Sequence, residues 1–317
     1  MPFHLHPRIS TLIAAGAGPS GSPGFAGLRR GDPAGLRAVL DHGLAQMSAL
    51  PPTPGVTART YRITAEDGTP LRLRWYTRDG ATPGSAVVHL HGGGMIAGSA
   101  DLYEPLVRTY VAWTGVPFLA VDYRLAPGAA VGVPAGDAFA GLRWARANAG
   151  DLGIDPARIA VMGDSAGGGV AAATAILARN AGIPIARQIL IYPMLDDRNL
   201  IPNRHLTAEP TIFSYDFNFT AWRAVLGDIH GTDAVPAIAA PARNTDFADL
   251  APAYIEVGEL DIFRDEDVDY ARRLWAAGVS TELHVHPGLP HAFDVLLIGD
   301  EAGERHKTER VRVLHDL

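Results

Sequence analysis

Ile159-Ala160-Val161-Met162-Gly163-Asp164-Ser165-Ala166-Gly167-Gly168 is the stretch on which the fold turns. Four apolar residues lead into a glycine-flanked serine, and a run of small residues follows. The apolar residues read as a buried strand and the small-residue run as a helix, so Ser165 sits on a strand-to-helix turn. G-x-S-x-G in that setting is a nucleophile elbow. The turn is tight enough to force a strained backbone on Ser165, and Gly163 and Gly167 give it room. The hydroxyl is lifted to a helix N-terminus, where backbone N–H groups favour developing negative charge. The bland alternative is a glycine-rich turn with an idle serine, and the flanking strand and helix weigh against it.

Working outward, short apolar runs recur at 86–90 (AVVHL), 118–122 (FLAVD), 188–192 (QILIY) and 254–257 (YIEV), with 281–286 (TELHVH) last. Helical spacing fills about 104–114, 135–148, 166–181 and 265–277. The short runs suit central strands of a parallel sheet covered on both faces. Their alternation with helices predicts a doubly wound α/β sheet. Upstream, Leu36, Val39, Leu40, Leu44 and Met47 carry a helical period that Pro51, Pro52 and Pro54 stop. Period two at Tyr61 and Ile63, then at Leu71, Leu73 and Trp75, flanks Glu66-Asp67-Gly68 and predicts an antiparallel hairpin at one edge. Residues 1–34 read as irregular, with a short helix near Ile9–Ala15.

Residues 197–227 interrupt the alternation and hold Phe213, Tyr215, Phe217, Phe219 and Trp222. They are too long for a plain connection. They read as a helical insertion over the C-terminal edge of the sheet, packed with the N-terminal helix as one cap. Phe213, Tyr215 and Trp222 are the substrate-binding candidates. The domain reading is one catalytic domain over 1–317, with the cap from about 1–50 and 197–227.

Composition narrows the chemistry. Apolar residues make up 47% of the 317 and charged residues 19%, enough side chain for a sizeable core. A net charge of −7 does not suggest a nucleic-acid surface. The chain has no cysteine, which removes disulfides, thiolate catalysis and zinc-thiolate sites together. Lys307 is the only lysine and lies in a polar run near the C-terminus, far from any P-loop or Schiff-base setting. Met1–Gly16 carries one Arg, and its longest apolar run is Leu12–Ala15, so no targeting segment is expected. No stretch approaches the ~20 apolar residues of a membrane helix. The expected place is the cytoplasm, with no membrane and no nucleic-acid partner.

A second signal is His91-Gly92-Gly93-Gly94, directly after the run 86–90. Three glycines let the backbone turn its N–H groups into a pocket, as a tetrahedral oxyanion requires. The residue after the nucleophile, Ala166, supplies a donor from the other side. The sequence alone does not rank the three glycines.

H-G-G-G followed by G-D-S-A-G-G resembles the hormone-sensitive-lipase-like esterases of the α/β-hydrolase superfamily. Asp122-Tyr123-Arg124-Leu125-Ala126-Pro127 is similar to that family's D-Y-R-L-A-P segment, and Leu260-Asp261-Ile262-Phe263-Arg264-Asp265-Glu266 to its D-P-L-R-D-E segment. The resemblance spans about 58–295. It implies the α/β-hydrolase fold, an eight-stranded, mostly parallel sheet flanked by helices under a helical cap. It implies hydrolysis of short-acyl carboxylic esters, Gly93 and Gly94 as the oxyanion donors, and a homodimer. The chain departs from the pattern at Ile262, where the family has Pro, and at Gly128, where it has an acidic residue.

The acid and the base follow the serine in the order Ser, Asp/Glu, His. His205 and His230 precede the last two strands, His284 and His286 belong to the last strand, and His306 and His315 fall in a charged tail. His291 remains, on the loop Pro287–Phe293, where His291-Ala292-Phe293 resembles the family's H-G-F. For the acid, Glu259 comes early and is expected to point back beside the sheet. Asp265 is expected to be the N-cap of the next helix. Asp261, in the middle of the loop, is also the position matching the family's acid. The pairs His89/His91 and His284/His286 each fall on one face. No acidic cluster is expected beside either, so no metal is assigned.

Together with the resemblance these parts predict a serine esterase whose acyl-enzyme cycle would need no cofactor and whose partner would be a small-molecule ester. The same site would serve amides, lactones or acyl transfer. A non-catalytic ligand receptor on this fold is the other class, and the joint presence of Ser165, Asp261 and His291 argues against it.

Overall fold

The computed structural model describes residues 3–14, 27–48, 53–82, 84–206 and 213–317. Pro51 and Pro52 and most of the glycine-rich N-terminal segment lie outside them. The eight strands are β1 (Val56–Thr64), β2 (Pro70–Arg78), β3 (Ala86–Leu90), β4 (Phe118–Val121), β5 (Ile159–Asp164), β6 (Gln188–Ile191), β7 (Ala253–Gly258) and β8 (Thr281–His286). They form one sheet in the order β1-β2-β4-β3-β5-β6-β7-β8. β2 is antiparallel to β1 and β4, and the other pairings are parallel. The expected hairpin is β1–β2, with Tyr61 opposite Leu73 and Ile63 opposite Leu71.

The helices are α1 (Pro7–Ala14), α2 (Pro33–Ser48), α3 (Glu104–Thr114), α4 (Val133–Ala147), α5 (Ala149–Leu152), α6 (Ala166–Asn180), α7 (Tyr215–Leu226), α8 (Arg264–Ala276), α9 (Phe293–Leu296) and α10 (Glu304–His315). Alternate residues of a strand serve opposite faces of the sheet. Val88 and Leu90 of β3 therefore join one core with α4, α6 and α8, while Val87 joins another with α3 and α10. No helix among the described residues is long and apolar enough to cross a membrane.

The connection from β6 to β7 holds α7, which α2 packs against. The approach to α2 is docked there too. The Arg30 guanidinium lies 4.0 Å over the Phe219 ring, and the Gly31 N–H donates to Thr220 at 2.9 Å. Residues 207–212 of the expected insertion lie outside the described residues.

Residues 304–315 are not a charged tail but helix α10, which buries His306, Arg310, Val313 and Leu314. Its inward charge was invisible locally because the partner of Arg310 is Glu256, 54 residues earlier on β7.

Asp267 of α8 is fully buried, and neither carboxylate oxygen has a hydrogen-bond partner among the described residues. Burial pushes its carboxyl well above the usual carboxylate range, helped by the neighbouring charges of Glu266 and Asp261. A folded-state pKa raised in this way gives stability that is full below the unfolded pKa and is lost as pH rises through the folded one. Asp267→Asn removes that loss. Its melting temperature is expected to exceed that of the wild type at pH 8, with the gain shrinking towards pH 4. The slope is at most ~1.4 kcal/mol per pH unit, and thermal melts across that range read it.

Candidate active site

The elbow begins with a backbone that leaves no space. Ser165 has φ 57 and ψ −123, a conformation rare for a residue with a side chain. A Cβ on Gly163 would collide with the backbone of Gly167, and one on Gly167 with the carbonyl of Leu90. The strained turn is held by the Ser165 N–H, which donates to Ile191 O at 2.9 Å, and by Ser165 O, which accepts from Met194 at 2.9 Å. β5, β6 and α6 thus fix where the serine stands.

The structure brings Ser165, Asp261 and His291 together. His291 Nε2 lies 2.9 Å from Ser165 Oγ, and His291 Nδ1 lies 2.7 Å from Asp261 Oδ2. All three are buried. The other carboxylate oxygen of Asp261 accepts from the Phe263 N–H at 2.9 Å. The loops after β7 and β8 are stitched to each other. The Leu260 N–H donates to Leu289 O at 2.9 Å, and the Gly288 N–H donates to Glu259 at 3.0 Å. Glu259 thus turns to the histidine loop rather than into the site. Ala292, where the family pattern has Gly, takes a left-handed backbone at φ 55.

Asp265 is not the cap of α8. The cap position is Phe263, with no side-chain cap bond, and the exposed Asp265 pairs with Arg264 at 2.8 Å. The carboxylate that meets the backbone before this helix is Asp261. An acid in the first turn looks alike from sequence whether it caps or faces water.

The H-G-G-G loop is organised by two tyrosines that the sequence reading did not single out. The Tyr103 ring lies 5.6 Å from that of His91, and its hydroxyl closes over Gly92, where a Cβ would meet it at 2.5 Å. Among the described residues, the N–H groups of Gly93, Gly94 and Ala166 have no protein acceptor. The Tyr123 hydroxyl donates to His91 O at 2.6 Å, and its ring stacks on His91 at 4.2 Å. His91 Nδ1 meets Gly92 O at 2.8 Å, and burial lowers the imidazole pKa, so the ring stays neutral. Tyr123 could have been found from its place in D-Y-R-L-A-P, whereas Tyr103 carries no sequence signal.

Of the insertion aromatics, Phe213 reaches the site, 5.6 Å from the His291 ring. Gly94 faces the same wall, for a Cβ there would lie 3.1 Å from Ala221 and 3.9 Å from Phe213. Tyr215 instead accepts from the Asn203 N–H at 3.2 Å, and Trp222 has no exposed surface. Both belong to the interior of the insertion. Phe219 holds Arg30, and Phe217 lies 6.0 Å from Phe213.

The histidine pairs have other partners. His89 is buried 3.5 Å from Asp164, and His286 is buried 3.5 Å from Glu256. The expectation of no acidic cluster fails for His284. The fold brings Glu309 of α10 to Glu282 and His284, their ligand atoms within 4.8 Å of one another. Arg312 is paired to both glutamates and neutralises them.

Comparison with known proteins agrees with this geometry. A family profile described as an α/β-hydrolase fold matches residues 87–295. The chain is 38% identical over 229 residues to carboxylesterase NlhH of Mycobacterium tuberculosis, covering 71% of this chain and 70% of that protein. It is 34% identical over 239 residues to an ethyl acetate hydrolase of Pseudomonas putida, covering 73% and 74%. Among solved structures, a bacterial heroin esterase superposes with a TM-score of 0.86 at 34% identity, covering 98% of this chain and 97% of that one.

Asp261→Asn is expected to lower kcat by about 10²–10⁴, because the imidazole loses its tautomer and its counter-charge. Asp265→Ala is expected to leave stability within ~0.5 kcal/mol and kcat essentially unchanged. Steady-state rates on an activated ester, with melts of both variants, check the pair.

Proposed function

Because the chain belongs to the α/β-hydrolase-fold family, in its hormone-sensitive-lipase-like group, we propose that Ser165, His291 and Asp261 act as nucleophile, base and orienting acid. The protein is a carboxylic ester hydrolase acting on small-molecule esters. The single observation that carries the assignment of roles is the His291 imidazole, bonded to Ser165 on one nitrogen and to Asp261 on the other.

In this reading His291 Nε2 takes the Ser165 proton as Oγ attacks the ester carbonyl. The tetrahedral oxyanion is met by the N–H groups of Gly93, Gly94 and Ala166. The same nitrogen then returns the proton to the departing alcohol, and water repeats the cycle to release the acid. Asp261 holds Nδ1 protonated and balances the imidazolium charge.

The cap belongs to the same proposal, formed by about 1–50 and 197–227 with α2 against α7. Phe213 and Ala221 close in on His291 and Gly94, which supports a preference for short acyl chains. The name of the Pseudomonas putida relative, an ethyl acetate hydrolase, supports it as well. A homodimer is supported by the habit of the family, and light scattering reads it directly.

Ser165→Ala is expected to fold and to lose about 10⁴-fold or more of the ester hydrolysis rate. Activity within tenfold of wild type would sink the nucleophile. With a panel of p-nitrophenyl esters, kcat/KM is expected to be highest for acetate to butyrate. Faster hydrolysis of long-chain than of butyrate esters would refute the short-acyl reading.

A further inference from the structure

Three rings enclose the His291 imidazole. Tyr192 stands 4.7 Å away at 64°, Phe263 5.2 Å away at 82°, and Phe213 5.6 Å away at 42°. Tyr192 alone among them carries a polar group, and that group is tied down. Its hydroxyl donates to Asp294 Oδ1 at 2.6 Å. The other oxygen of Asp294 accepts from Arg310 Nη1 at 2.5 Å. Arg310 is buried on α10, and it also bonds Glu256 at 2.5 Å and the Tyr110 hydroxyl at 2.6 Å. Glu256 in turn accepts from the Tyr254 hydroxyl at 2.8 Å. A chain of bonds therefore runs from the ring beside the catalytic imidazole to a guanidinium fixed by two carboxylates.

The backbone of Tyr192 is constrained as well. It has φ 36, an outlying value for so bulky a residue. Such a conformation persists only where the surroundings over-determine it. Here the Tyr192 N–H donates to Glu256 O at 2.6 Å, and the carbonyl just before it, Ile191 O, accepts from the Ser165 N–H at 2.9 Å. One residue thus touches the elbow through its peptide neighbour and the imidazole through its ring. Asp294 lies three residues after His291, so the same anchor also grips the histidine loop.

Resting on the reading of His291 as the base, we propose that Tyr192 is a positioning residue for that imidazole. Its hydroxyl, bonded to Asp294 and through it to Arg310, keeps the ring where it holds Nε2 on Ser165 while charge develops. Burial, followed by the charge of Asp294, pushes the phenol pKa well above its ordinary value, so the donor is present throughout the working pH range. A ring needed only as filler would be served equally by Phe. Small misplacement of a reacting group is enough to slow the chemistry.

Tyr192→Phe removes the hydroxyl and nothing else, so it is the test. Active sites are counted by stoichiometric release of p-nitrophenolate from a p-nitrophenyl phosphonate, and kcat is expressed per counted site. The expected result is a fall in kcat of about 5–30-fold with KM within about threefold and an undiminished site count. Wild-type kcat per counted site overturns the proposal, as does a loss that appears only as fewer sites, which is the mark of a structural role. Asp294→Asn keeps an acceptor for the phenol while weakening the grip of Arg310, and it is expected to fall between Tyr192→Phe and wild type. Should Tyr192→Phe not fold, wild-type kcat per site in Asp294→Asn overturns the proposal instead. Residual activity in Ser165→Ala would mean that the nucleophile reading has failed. Loss there with none in Tyr192→Phe would remove this inference alone.

Discussion

The approach of α6 to the sheet is closer than side chains allow, and the rest of the site is measured from it. A Cβ on Gly167 would overlap the carbonyl of Leu90 at the end of β3, and one on Gly169 would overlap that of Met194 after β6. Glycine at these places lets one helix start touch two strand ends through backbone alone. Ala166 is thereby brought opposite the H-G-G-G loop, since that loop begins one residue after Leu90. An oxyanion hole assembled from two segments needs their spacing fixed to a few tenths of an ångström, and backbone contact achieves this more rigidly than packed side chains would.

The acid and the base come from two further loops, and their relation is set independently of the serine. Glu259 binds the Gly288 N–H, and Leu260 binds the Leu289 carbonyl, so the loops after β7 and β8 form a single unit. Asp261 sits in that unit with no exposed surface. A buried carboxylate is costly unless its charge is met. Here the Phe263 N–H meets one oxygen and the imidazole the other, so the position that orients His291 is also the one with the most favourable setting for a charge. Asp267, one turn further on, has no such partners, and its carboxyl pKa is raised.

Most of this was legible in the sequence because it is local. The elbow, the H-G-G-G turn and the two late loops each lie within a dozen residues, and their glycines and apolar flanks announce them. What failed was long-range. α10 looked like a charged tail because Arg310 finds its carboxylates on β7 and α9. The cluster at His284 escaped notice because Glu309 arrives from α10. Trp222 and Tyr215 looked like pocket walls, yet an aromatic at helical spacing does not reveal which face meets the site. In the sequence Asp265 has the position of a cap, and capping depends on a side-chain angle that sequence does not carry.

The two halves of the site are braced in the same way. Tyr103 and Tyr123 hold the H-G-G-G loop, and Tyr192 stands behind the histidine. Each is buried, and burial together with nearby carboxylates raises each phenol well above its ordinary pKa. A phenol in that state donates one hydrogen bond and does not titrate where the enzyme works. A lysine brace would bring a fixed charge beside the imidazolium. A neutral donor avoids this. In the proposed cycle, His291 then changes protonation state while the groups that hold its loop and the oxyanion loop do not.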